Sequence, residues 1–375
     1  MISRIKTWLL LGIMIFVGVG SVPLIQTQAA HNVDDELVEL PEYSYYVGKV
    51  MKVKNSETNV GGIQERIQNI EARIVFGEEA GKDISSQNIL DPGVEALRVG
   101  QQVVIVKSTL DGDSVYHMGE PYRLVSISII VAVFFALVIF FGRIRGVTSI
   151  FGLVMSVVVL KFFIVDRILD GHDPLITTFL GALLIVLCSL YLAHGFNKRT
   201  SIAVLGTLLT LLIILVVAQF FVGATALTGA GTEEALFLQF GPLGTINLRG
   251  LLLSGIIIGV LGVLDDVTTG QVAAIGEIAD ANPLLSTREL YRRGLAVGKE
   301  HIASLVNTLV LAYAGSSLPL FLLFTIYKDT PFWVTLNSSP IAEEMIRSLV
   351  GSTTLVLAVP ITTYLAAKFL AKKTL

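Results

Sequence analysis

The polar and apolar positions of this chain fall into three regimes. In residues 1–30, Arg4 and Lys6 precede an unbroken apolar stretch, Trp8 to Ile25. That order reads as a signal peptide or an N-terminal membrane anchor. The length of the stretch, and Gln28 close to where a cleavage site wants small residues, favour the anchor. In residues 31–122 the apolar positions alternate with polar ones. YYVGKVMKVKN (45–55), IEARIVFGEEAGKD (70–83) and LRVGQQVVIVKS (97–108) each end at Gly, Asn, Asp or Ser. Such alternation predicts strands, and GEEAGKD and LDGD predict hairpin turns between them. About five short strands make a small β-barrel of the OB or barrel-sandwich kind.

From residue 123 the alternation stops and long apolar runs begin. A bilayer core about 30 Å thick needs roughly 20 apolar residues per helix. The runs predict about seven transmembrane helices: Leu124–Phe141, Val147–Val165, Pro174–His194, Ser201–Val222, Asn247–Leu264, Ile302–Ile326 and Leu349–Leu370. The fold class is therefore an α-helical polytopic membrane protein with an N-terminal extracytoplasmic β domain. Composition agrees, since 53% of the 375 residues are hydrophobic and 15% charged, against about 25% charged in a soluble domain.

Lys and Arg sit in alternate loops, at Arg143 and Arg145, Lys198 and Arg199, Arg288 to Lys299, and the C-terminal tail. The positive-inside rule then places the β domain outside and the C-terminus in the cytoplasm. The net charge of −3 supplies no basic surface for nucleic acid, leaving the lipid bilayer as the expected partner. Cys188 is the one cysteine, so neither a disulfide nor a thiolate metal cluster can form within the chain. No metal site and no cofactor is expected.

The chemistry-bearing stretch runs from Gly250 to Phe324. Gly255, Gly259 and Gly262 predict a flat helix face for close helix packing. Asp265 and Asp266 follow only about sixteen apolar residues, which is short for a span and leaves carboxylates at the membrane boundary. Asp266, Gly270, Ala273, Glu277 and Asp280 share one helical stripe. That stripe is either the wet face of a helix entering the cytoplasm or part of a functional site. After Asn282-Pro283, Ser286 and Glu289 form a capping box. Arg288, Arg292 and Arg293 then predict a basic helix lying on the inner leaflet. Glu300 and His301 enter the next span, with Ser304 and Asn307 deeper on the face of Glu300. Together Asp265, Asp266, Glu300, His301 and Asn307 are the candidate ion- or substrate-binding residues, expected to meet between antiparallel spans. Lys161 and Arg249 are expected to reach the interface. Neither the direct nor the inverted metalloprotease motif is present, nor a Gly-x-Ser-x-Gly elbow or a P-loop, so the chain is not read as an enzyme.

The stretches GVLGVLDDVTTGQ and NPLLSTRELYRRGLAVGKEHIASLVNTLVLAYAGSSLP resemble the YibE/F-like family of bacterial membrane proteins. The resemblance implies a multipass protein of the bacterial inner membrane and supplies no catalytic residues to carry over. Family members often carry a single Asp in this run, which aligns with Asp266 and makes Asp265 the departure. Carboxylates at a broken apolar run and polar faces on adjacent spans point to a proton- or cation-coupled transporter. The alternative is a non-catalytic adaptor that binds a protein partner through the β domain.

Overall fold

The computed structural model describes residues 42–60, 63–90, 96–110, 112–240, 246–326 and 330–371. The expected N-terminal leader, residues 1–30, lies outside them. The described chain forms two units, a β unit and a helical unit, with the boundary at Phe134 and Phe135.

Five antiparallel strands make up the β unit: β1 (Glu42–Val60), β2 (Ile63–Phe76), β3 (Asp83–Leu90), β4 (Gln102–Leu110) and β5 (Asp113–Pro121). Their order is β3-β2-β1-β4-β5. β1 is long enough to serve two neighbours. Glu42 to Lys49 pairs with β4, and Val47 to Val60 pairs with β2. The register shifts at Val47/Gly48, where β1 changes partner. A Cβ on Gly48 would run into Ile105, so the bend needs a residue without a side chain. The outer strands approach where Asn88 Nδ2 donates to the Met118 carbonyl (3.3 Å), nearly closing the circuit β1-β2-β3-β5-β4. This is a small, nearly closed five-stranded barrel, as the alternation predicts. Val50, Ile70, Ile74, Val103 and Ile105 fill it. Gln68, buried beside them, exchanges hydrogen bonds with the Leu97 backbone and donates to Asn55.

On the barrel surface Glu79 collects three donors, Lys107 (2.6 Å), the Tyr116 hydroxyl (2.6 Å) and Lys82 (2.9 Å). The Lys107 and Tyr116 hydrogen bonds lead in holding its carboxyl at about 2, below the usual 4.5.

Among the described residues six helices are long and apolar enough to cross a membrane: α1 (Leu124–Leu169), whose residues up to Phe134 fall in the β unit, and, in the helical unit, α2 (Pro174–His194), α3 (Lys198–Ala224), α5 (Leu248–Ala281), α6 (Thr287–Ser316) and α9 (Ser339–Leu370). Short helices α4 (Glu233–Phe240), α7 (Leu318–Ile326) and α8 (Phe332–Leu336) connect them. The count is six among the described residues, rather than seven separate helices, because the first two predicted spans share α1. Only Arg143 leaves helical geometry there (φ 50, ψ −128). The turn is tight: a Cβ on Gly146 would strike the Val138 carbonyl. α1 also contains a π-helical turn, Leu160–Val165. There Lys161 pairs with Asp166 (2.7 Å) rather than reaching out alone.

At the centre is α5, which packs on α2, α3, α6 and α9. At 1.5 Å per residue its 34 residues span about 51 Å, well beyond the bilayer core. Its buried Gln271 donates to the Gly294 carbonyl on α6 and to the Thr363 hydroxyl on α9, both at 2.8 Å. α6 comes this close because Gly294 and Gly298 lack side chains; a Cβ on Gly298 would meet Val359 and Gln271. One face of Thr287–Ser316 is therefore buried through Leu290, Gly294 and Gly298. The basic segment is the first part of this helix, not a separate surface helix. Its Ser286 cap forms as predicted, accepting from the Glu289 amide, while the Glu289 carboxylate is taken by Arg292 and Arg293.

Two outcomes follow. The favourable interactions of ionised Glu79 are complete above about pH 4.5 and are lost as pH falls towards 2. Wild-type β-unit stability should therefore drop more steeply across that window than that of Glu79→Gln, measured by circular dichroism; parallel curves would contradict this. Gln271→Leu leaves the Gly294 carbonyl and Thr363 without their partner, and should destabilise the helical unit by about 1–3 kcal/mol, read from thermal unfolding in detergent.

Candidate functional site

Where α5 passes α1 and α2, the helices leave a cavity of about 570 Å³. Its walls carry the hydroxyls of Ser149, Ser156, Ser189 and Thr269 among apolar side chains such as Leu160, Ile185 and Leu261. The serines of α1 share one helical face with Gly152, at spacings of three and four residues. A Cβ on Gly152 would lie 3.3 Å from the Ser189 carbonyl, so glycine draws α1 against α2 beside the cavity. Gly262 has nothing within 4 Å of where its Cβ would stand; it widens the space.

Asp265 forms the polar centre. Its Oδ2 accepts from the Ser189 hydroxyl (3.1 Å). Its Oδ1 is buried and has no hydrogen-bond partner. No lysine or arginine lines the cavity, and His194 is the one basic side chain in its described wall. A carboxylate with one oxygen held and the other unmatched is equipped to take up a proton or a small cation.

The residues singled out in the sequence divide between different places. Asp266 lies at the same cavity but is exposed. Glu300 and Asn307 are exposed and His301 is half-buried, and none of the three lines the cavity. Among the described residues no three His, Cys, Asp or Glu side chains gather as a metal site would require. The expected meeting of Asp265 and Asp266 with Glu300 and Asn307 is thus not assembled. The physical reason is the glycine face of α6. Gly294 and Gly298 turn towards α5 and α9, which puts Glu300, Ser304 and Asn307 on the other side.

Gly255, Gly259 and Gly262 likewise do not press backbone on backbone. The first two make room for polar side chains: a Cβ would stand 2.8 Å from the Arg347 guanidinium at Gly255 and 2.7 Å from the Tyr313 hydroxyl at Gly259. The stripe from Asp266 to Asp280 is exposed along its length, as a wet helix face would be. It is held to α3 by Arg199, which binds Glu277 (2.8 Å) and Asp280 (2.6 Å).

Sequence reasoning missed Ser189, whose hydroxyl selects Asp265 over Asp266, and the α1 serines. Their spacing in an apolar run was the available signal. It also missed Glu343 on α9, which is 3% exposed and accepts from the Gly231 amide (3.0 Å).

No curated protein and no solved structure matches the chain. A family model, described as YibE/F-like protein, matches residues 130–372. The match takes in the cavity, Asp265 and the Gln271 junction, and leaves the β barrel outside. With the helical architecture and more than half of its length matched, this chain is a multipass membrane protein that belongs to the YibE/F-like family.

Proposed function

We propose that the protein is a transporter of the bacterial plasma membrane, coupled to protons or a small cation, with Asp265 as the exchanging carboxylate. The observation that carries this reading is Asp265 itself, half-buried at a hydroxyl-lined cavity with one oxygen unmatched. Carboxylates set within spanning helices are costly to keep, and they commonly mark ion or proton pathways. Ser189 orients the carboxylate, and Asp266 at the cavity edge adds negative potential that favours cation entry. Gly262 keeps the passage to Asp265 free of a side chain. In this reading the β barrel is outside and the C-terminus is cytoplasmic, as the distribution of Lys and Arg implies.

The barrel supports a second reading, that of an adaptor. Tyr43, Tyr45 and Phe76 are exposed by 56%, 52% and 76%, and aromatic side chains of this kind are favoured at protein interfaces. A partner bound there is compatible with transport below.

The transport reading is tested in liposomes holding the purified protein. An imposed pH or cation gradient should dissipate through the wild type, followed with a pH-sensitive dye or an ion electrode. Asp265→Asn should abolish this flux with the fold intact by circular dichroism, and Asp266→Asn should reduce it more weakly. Undiminished flux through Asp265→Asn would remove Asp265 from the mechanism. If the wild type carries no proton or cation flux, the reading as a whole is wrong.

A further inference from the structure

The glycine face of α6 leaves its other face without a partner among the described residues. On that face Glu300, Ser304 and Asn307 are exposed, with Lys299 exposed at its edge. Among the described residues the Asn307 carboxamide has no hydrogen-bond partner, and neither Lys299 nor Glu300 has an ion-pair partner.

Depth makes this exposure significant. Tyr313 meets Gly259, and Gln271 meets Gly294 and Gly298, which fixes the antiparallel register of α5 and α6. Asn307 then falls about level with Gly262, which is midway between the Asn247 cap and the exposed Glu277 of α5. That is roughly 22 Å from either at 1.5 Å per residue, inside the hydrocarbon. A primary amide facing lipid at that depth finds no donor or acceptor, and polar groups in spanning helices turn towards protein.

We propose that this face of α6 packs against the same face of a second copy of the chain about a two-fold axis, with Asn307 at the axis. The occupant follows from the chemistry of the face. A carboxamide is both donor and acceptor, so two copies of Asn307 satisfy each other, as a lone interfacial Asn does in paired helices. Lys299 and Glu300 are adjacent and oppositely charged, so each copy offers the other a reciprocal pair nearer the membrane surface. Ala303 and Ser304, both exposed there, are small enough for the helices to approach. The N-terminal stretch Trp8–Ile25 of the same chain offers only Trp8 and Ser21 as polar side chains and no charge to pair with Lys299 or Glu300, and so fits the face less well than a second copy does.

The test uses the full chain in nanodiscs and in native membranes. Native mass spectrometry of the wild type should give a dimer. Asn307→Leu should weaken it by roughly tenfold, the scale of a pair of interhelical hydrogen bonds, and Asn307→Gln should retain most of it. With Cys188→Ala as background, Asn307→Cys should crosslink under mild oxidation to a species of twice the mass. Val216→Cys on the exposed side of α3 should not. This crosslink decides the matter even if Asn307→Leu folds poorly. A monomeric wild type, a dimer indifferent to Asn307→Leu, or a crosslink to another protein or to the chain's own N-terminal stretch would each overturn the proposal.

Discussion

The amide of Gln271 is the contact on which the helical unit most depends. It is buried, and it donates to a backbone carbonyl on α6 and a hydroxyl on α9. In hydrocarbon, apolar side chains gain little by leaving lipid for each other, so direct hydrogen bonds and close packing set which helix faces meet. Gly294 and Gly298 make the approach possible, and the amide makes it specific. Once α5 is fixed in rotation by this junction, the rest of its face is determined. Asp265, six residues earlier, turns towards α2 and Ser189. Asp266 and the stripe to Asp280 turn outwards, where Arg199 secures the last turns.

Glycine serves side chains more than backbones in this bundle. Gly255 admits Arg347, Gly259 the Tyr313 hydroxyl, Gly276 the Arg199 guanidinium and Gly231 the buried Glu343 carboxylate. A polar group inside a membrane needs a slot as well as a partner, and a missing side chain on a facing helix is the simplest slot. Gly262 has no neighbour in its slot, and it borders the Asp265 cavity. This is why a glycine-rich run precedes the aspartates without forming a flat packing seam.

The sequence made the architecture legible wherever period and length decide it. The alternation in 45–55, 70–83 and 97–108 marked β1, β2 and β4, and the apolar runs located the spanning helices, except that the run Ile302–Ile326 divides between α6 and α7. The seven predicted spans became six helices because one residue, Arg143, turns the chain without interrupting the helix on either side. The site was only half legible. Carboxylates that end an apolar run stand out in any sequence, so Asp265 and Asp266 were found. Which of them points inwards depends on helix rotation, set by Gln271 and by Ser189 some eighty residues away. Glu300 and Asn307 were correctly placed on one face of α6, but the side of the helix that meets α5 was fixed by Gly294 and Gly298, whose contacts are tertiary.

The central claim is that the Gln271 junction fixes the rotation of α5 and thereby opens the cavity beside Asp265. The most direct measurement is the labelling rate of Gly262→Cys, in a Cys188→Ala background, with a small water-soluble thiol reagent. The account predicts ready labelling, because Gly262 borders open space, and a marked change in rate when Gln271→Leu is added. A thiol at this position that does not react, or that reacts at the same rate with and without Gln271, would contradict it.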